Sequence, residues 1–102
     1  MDRSNVISLI SETKTQDDIG QFVTEETVRQ VFCDVRSISA SEWLDAGREG
    51  FKPAYCFIMF APDYAGERIV EYNGKRYGIY RTYEGKHERI ELYVEAQGGV
   101  HG

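Results

Sequence analysis

The chain has 102 residues, 41% of them hydrophobic and 28% charged, with a formal net charge of −5. That is one domain of ordinary globular composition, long enough to bury a core without disulfide or metal staples. The balance of 17 acidic against 12 basic residues argues against a protein that grips nucleic acid by its phosphates, which needs a basic face.

The first residues, Met1-Asp2-Arg3-Ser4-Asn5, lack the apolar core of a signal peptide, and the longest apolar run, residues 55–61, is far too short for a spanning helix. A cytoplasmic protein with no membrane partner is expected. Residues 5–12 read as a strand with Val6, Ser8 and Ile10 opposite Ile7 and Leu9. Residues 13–18 are polar and predict a loop or hairpin tip. A second strand is expected to begin in residues 19–23, with Gly20 permitting a bend or bulge.

Residues 25–38 form a long β-rich segment. Arg29, Val31, Cys33 and Val35 share one face, and Val28, Gln30, Phe32 and Asp34 the other. Phe32 sits among polar neighbours, which predicts a strand covered on both faces at its middle.

Residues 37–53 break the strand pattern. Ser39-Ala40-Ser41-Glu42 matches a capping box, with Ser39 as N-cap and Glu42 three residues on. Trp43, Leu44, Ala46 and Gly47 follow at helical spacing; Gly47 and Gly50 stop the helix and Pro53 prevents its resumption. Two roles fit this short helix. It is a plug, closing one end of a barrel with Trp43 and Leu44, or it is a movable element hinged at Gly47, Gly50 and Pro53.

Residues 55–60 form the next strand, and Pro62-Asp63-Tyr64-Ala65-Gly66 turns the chain. Residues 68–95 read as three strands joined by two turns. Asn73-Gly74 suits a type I′ hairpin that pairs Tyr72 with Lys75, Glu71 with Arg76 and Val70 with Tyr77. Tyr77, Ile79 and Arg81 are expected on one face, with Gly78, Tyr80 and Thr82 on the other. Glu84-Gly85-Lys86-His87 makes the second reversal. The last strand alternates Ile90, Leu92 and Val94 against Glu91, Tyr93 and Glu95. The fold class is mainly β: a small antiparallel β-barrel over residues 1–96, with one short helix in an inter-strand loop and a flexible tail at 97–102.

Chemistry is sparse. Cys33 and Cys56 lie inside predicted strands as small buried hydrophobes, no CxxC spacing exists, and His87 and His101 fall in a turn and the tail. No catalytic residue, cofactor or metal site is expected. Asp17-Asp18 and Glu25-Glu26 are adjacent in sequence only, since strand neighbours point to opposite faces. Seven tyrosines and five phenylalanines suggest base stacking, but Glu84, Glu88, Glu91 and Glu95 crowd that region, which favours a core or subunit interface. No long exposed apolar stripe is legible, so the isolated chain is expected to be monomeric or weakly associating.

The run Tyr77-x-Ile79-Tyr80-Arg81-Thr82-Tyr83, followed by Ile90-Glu91-Leu92-Tyr93-x-Glu95, resembles the head-closure or head-tail joining proteins of long-tailed bacteriophages and prophages. Further landmarks are Ile19-Gly20, Val31-Phe32-Cys33-Asp34-Val35, Ser41-Glu42-Trp43, Gly50-Phe51-Lys52-Pro53 and Tyr72-Asn73-Gly74. The resemblance implies a β-barrel subunit of the virion neck, assembled in the bacterial cytoplasm as a dodecameric ring. Its partners would be itself, an adaptor protein on the portal side and tail-completion or tail-tube proteins on the distal side. Packaged duplex DNA would pass without specific binding.

By position, the loop that projects as a stopper in such proteins corresponds to residues 37–53, with Ser39, Ser41, Glu42, Trp43, Gly47, Arg48, Gly50, Lys52 and Pro53 as its candidate residues. The alternatives are a tail-completion or tail-terminator neck protein and a single-stranded nucleic-acid-binding β-barrel module. A ring of acidic subunits implies a channel lined mostly by acidic or neutral groups, with Arg48 and Lys52 as exceptions. The isolated protein is expected to show no measurable duplex binding at about 0.15 M salt. A gel-shift titration checks this, and micromolar binding would overturn the passive-conduit expectation.

Overall fold

The computed structural model describes residues 5–97; the expected tail at 98–102 and the first four residues lie outside them. The elements run β1 (Asn5–Gln16), β2 (Phe22–Arg36), α1 (Ala40–Arg48), β3 (Pro53–Phe60), a 3-10 turn (Ala61–Asp63), β4 (Ile69–Tyr72), β5 (Lys75–Glu84) and β6 (Arg89–Ala96). The fold is mainly β, and its six antiparallel strands close into one ring-shaped sheet in the order β1-β2-β3-β6-β5-β4. Closure rests on a short ladder between β1 and β4: Ser8 opposite Glu71, Leu9 opposite Val70 and Ile10 opposite Ile69.

Alternation puts Ile7 and Leu9 from β1, Val31 and Cys33 from β2, Phe57 and Met59 from β3, Val70, and Ile90, Leu92 and Val94 from β6 into one buried cluster. Both cysteines are buried and unpaired, as the sequence implies; burial, then the Asp34 charge, pushes the Cys33 thiol up to about 11. Cys56 and Ile58 alternate with Phe57 and Met59 on the opposite face of β3, the strand against which α1 packs, and both are buried. Tyr55, Phe57, Tyr72 and Tyr77 pack ring against ring at centroid distances from 5.2 to 5.7 Å. Three tyrosines are thus committed to the interior rather than to a stacking platform.

The hairpin of β4 and β5 has the expected register, with Asn73 and Gly74 at φ 51° and 78°. The next reversal differs. It lies one residue later than expected, over residues 85–88, with His87 (φ 62°) and Glu88 (φ 55°) left-handed. The face assignment along β5 also changes at Tyr80. Ile79 pairs with Val94 and Arg81 with Tyr93, so Tyr80 is an extra, bulged residue, and Arg81 joins Tyr93 on the outer face instead of following Ile79.

The largest departure is at β1 and β2. Residues 13–16, expected in a loop, continue β1, and β2 starts at Phe22, because twelve cross-strand pairs zip the two strands from Asn5–Cys33 to Gln16–Phe22. The reversal is a tight loop in which the Asp17 side chain accepts hydrogen bonds from the N–H groups of Ile19 (3.1 Å) and Gln21 (2.8 Å). Gly20 supplies φ 86° to that loop rather than a bulge in a strand. Six pairs lie beyond the last contact with β4, so the ribbon projects about 20 Å past the ring at ~3.3 Å per residue. The molecule is accordingly long, 50 × 30 × 23 Å.

Candidate functional site

The candidate segment, residues 37–53, connects β2 to β3. Ser39 caps α1, its Oγ accepting from the Glu42 N–H at 3.2 Å. The reciprocal half of the capping box is not made. The Glu42 carboxylate instead accepts from Tyr80 Oη at 2.7 Å and from the Arg81 guanidinium. The bulge turns these two donors toward the helix, and two donors, one of them charged, outcompete a single backbone N–H. Glu42 is 12% exposed there. Phe51 stacks on the Tyr80 ring at 4.7 Å, and Arg81 lies 4.0 Å above the Tyr93 ring. Burial, together with the Glu42 carboxylate, raises the Tyr80 phenol. A groove of about 360 Å³ runs between Glu42, Glu49, Phe51 and Arg81.

At the other end Gly50 (φ 89°) closes a Schellman motif, with its N–H donating to Gly47 O (3.1 Å) and that of Phe51 to Ala46 O (2.9 Å). Gly47 lies inside the helix rather than ending it. Ala46 is the helix's buried residue. Trp43 and Leu44 are 55% and 59% exposed, so neither plugs an end of the ring. The helix is short and Glu42 fixes its rotation, which turns Trp43 and Leu44 to solvent.

Arg48 pairs with Asp45 at 2.9 Å. Ser41 Oγ lies 3.4 Å from Ser39 Oγ. The Lys52 N–H donates to Glu95 Oε1 at 3.1 Å, and Pro53 opens β3 opposite Glu95. The candidate residues therefore do not converge on one point. Ser39, Ser41 and Glu42 form the cap, Gly47, Arg48 and Gly50 the far end, and Lys52 and Pro53 the return to the sheet.

The projecting ribbon is a second surface feature, and sequence inspection missed it. Phe32 is not covered on both faces but 67% exposed, beside exposed Val6 directly across the ladder; Val28 is also exposed on this outer face. Phe22, opposite Gln16, is 75% exposed, and Ile19 in the loop is 78% exposed. Two arginine–carboxylate pairs hold the ribbon's base. Arg76 bonds both oxygens of Glu26 at 2.8 and 3.0 Å. Arg29 bonds Glu67 Oε2 through Nε (3.0 Å) and an Nη (2.6 Å) and also donates to Asp63 O (2.8 Å). Glu67 is only 5% exposed. Burial would push its carboxyl up, but Arg29 and the Ala65 N–H outweigh that and hold it below the usual range. The signal that finds this surface is cross-strand: on its own face of β2 Phe32 lies between Gln30 and Asp34, but its ladder partner, Val6, is apolar.

No protein-family model matches the chain, and no curated protein matches it. Among the described residues no group of three or more His, Cys, Asp and Glu side chains is placed to hold a metal. No helix among them is long and apolar enough to cross a membrane. What the two features offer is docking chemistry: exposed aromatic and aliphatic side chains on a braced arm, and an amphipathic helix latched to the outer wall.

Proposed function

We propose that this chain is a structural subunit of a phage neck, a ring-forming head-closure (stopper) protein that joins the DNA-filled head to the tail and retains the genome. Its closed sheet is then the small antiparallel barrel of that family, with residues 37–53 as the stopper segment. The observation that carries the reading is the pairing of a small closed β-sheet with two surface elements that the core does not need. One is a ribbon with outward Phe22 and Phe32; the other is a helix with outward Trp43 and Leu44, held at its base by Glu42. Exposed large apolar groups of this kind mark protein contacts rather than a catalytic cleft.

Deleting the gene from the phage or prophage that carries it tests this reading. Heads are expected to fill with DNA and then lose it, tails to reach normal length, and joined particles to fall below detection in electron micrographs. Over-long tails would assign the chain to tail termination instead, and unaffected particles would remove it from the neck.

A further inference from the structure

We propose that copies of this chain contact one another head to tail, the tip of one β1–β2 ribbon seating on the β5–β6 turn of the next copy. The choice of a second copy as occupant rests on the ring-subunit reading; the two surfaces are chosen by their chemistry. The tip is acidic and apolar. Between residues 11 and 28 the acids are Glu12, Asp17, Asp18, Glu25 and Glu26, against Lys14 as the one cation, and Ile19 and Phe22 stand out into solvent. Glu26 is already held by Arg76, and Asp17 by its own loop, which leaves Glu12, Asp18 and Glu25 with no ion pair among the described residues, Asp18 at the tip itself.

The β5–β6 turn has the complementary character. A cleft of about 390 Å³ is lined by Tyr83, Lys86, His87 and Arg89 together with Glu91. Glu91 is committed to Arg36 at 3.2 Å and to the Tyr93 hydroxyl at 2.6 Å. Glu84 and Glu88 belong to the turn but do not line the cleft. Lys86 and Arg89 make no ion pair among the described residues, and Arg89 Nε is buried without a hydrogen-bond partner. Tyr83 is 56% exposed, and Phe60, partly exposed, lies opposite Arg89 in the ladder. Two free cations beside exposed aromatic rings suit an arm that presents Asp18 and Glu25 beside Ile19 and Phe22.

Topology places the two surfaces where a repeating contact needs them. Strands alternate in direction around the ring, so the β1–β2 and β5–β6 turns leave from the same end. β3 separates the two hairpins on one side of the ring and β4 on the other, so they occupy opposite walls. A neighbour set beside the molecule in the same orientation thus offers its turn to the ribbon. The surfaces are unlike, which makes the contact heterologous and able to propagate around a ring.

Sedimentation velocity of the full chain tests the contact, run up to about millimolar protein at about 0.05 M salt, where charges act beyond ~10 Å. The wild type is expected to self-associate. Asp18→Lys and Lys86→Glu are each expected to weaken association about tenfold, and the two together to restore most of it, as for an interacting pair in a mutant cycle. Phe22→Ser should weaken it similarly, whereas Lys75→Glu, the same charge change as Lys86→Glu at the other end of the ring, should leave it unchanged. Circular dichroism melts confirm that each exposed-site variant is folded.

A wild type that stays monomeric throughout overturns the proposal, as does a Lys75→Glu effect equal to that of Lys86→Glu. Association indifferent to both Asp18→Lys and Lys86→Glu overturns this contact but leaves the ring-subunit reading standing, since that reading falls only on the gene-deletion result.

Discussion

Replacing Arg29 by Met is expected to cost about 2–3 kcal/mol of stability at pH 7 and to change how stability responds to acid. Losing one member of a fully buried pair costs ~3–5 kcal/mol; the lower figure reflects the 40% exposure of Arg29. Met keeps most of the aliphatic stem, so the loss falls on the charge and its hydrogen bonds to Glu67 and Asp63 O. In the wild type the Glu67 carboxyl sits below its unfolded value, so its contribution is present above that value and disappears as pH falls through the folded one. In the variant, burial is opposed only by the backbone N–H groups of Ala65 and Glu67, and the folded value is expected to rise. The gap between wild type and variant should then narrow from pH 7 toward pH 4, as the buried acid takes up a proton. Urea unfolding at several pH values measures this, and adding Glu67→Gln to the variant should recover most of the loss. Parallel stability curves across that range would show that Glu67 is not held by Arg29.

How much of the fold was legible depended on how local its causes were. The β4–β5 register followed from two residues, Asn73 and Gly74, whose positive φ angles fix a two-residue turn whatever surrounds it. The inward set of β6 followed from plain alternation. Residues 13–16 looked like loop because they are polar, but polarity does not stop a strand that pairs with a neighbour and faces water on both sides. The bulge at Tyr80 left no mark in the alternation because tyrosine and arginine suit either face. It carries Arg81 to the outer face beside Tyr80, where both donate to the Glu42 carboxylate from another part of the chain.

The candidate segment was legible in its ends and not in its orientation. Ser39 and Gly50 act through backbone groups within a few residues, so cap and terminator could be placed from the chain alone. Which way Trp43 and Leu44 point is set by the bond from Glu42 to β5, a long-range contact that helical spacing does not encode. The same holds for Phe32, whose exposure depends on which strand lies across from it.

Excising residues 40–51 is expected to leave the closed sheet folded and to abolish genome retention. Arg36 pairs with Cys56 at the end of the β2–β3 ladder, and the seven residues left between them are enough to reverse the chain. The losses are the Glu42 bonds, the Phe51–Tyr80 stack and the burial of Ala46 itself, while the main core cluster contains no residue of α1. Stability should therefore fall by only about 1–2 kcal/mol, the scale of one hydrogen-bonded contact and one aromatic pair. Cys56, whose Sγ accepts from Arg36 at 3.7 Å and which lies opposite Tyr93 in the ladder, is held by residues outside the excised segment and should stay as unreactive toward a thiol reagent as Cys33 in the core. Under the stopper reading, phage carrying the excision should fill their heads and then leak, although the subunit is folded and still joins its ring. Nuclease protection of packaged DNA reads this out. Retention equal to the parent's, with both cysteines still unreactive, would show that the sheet stands without the segment and that the segment does nothing in the channel.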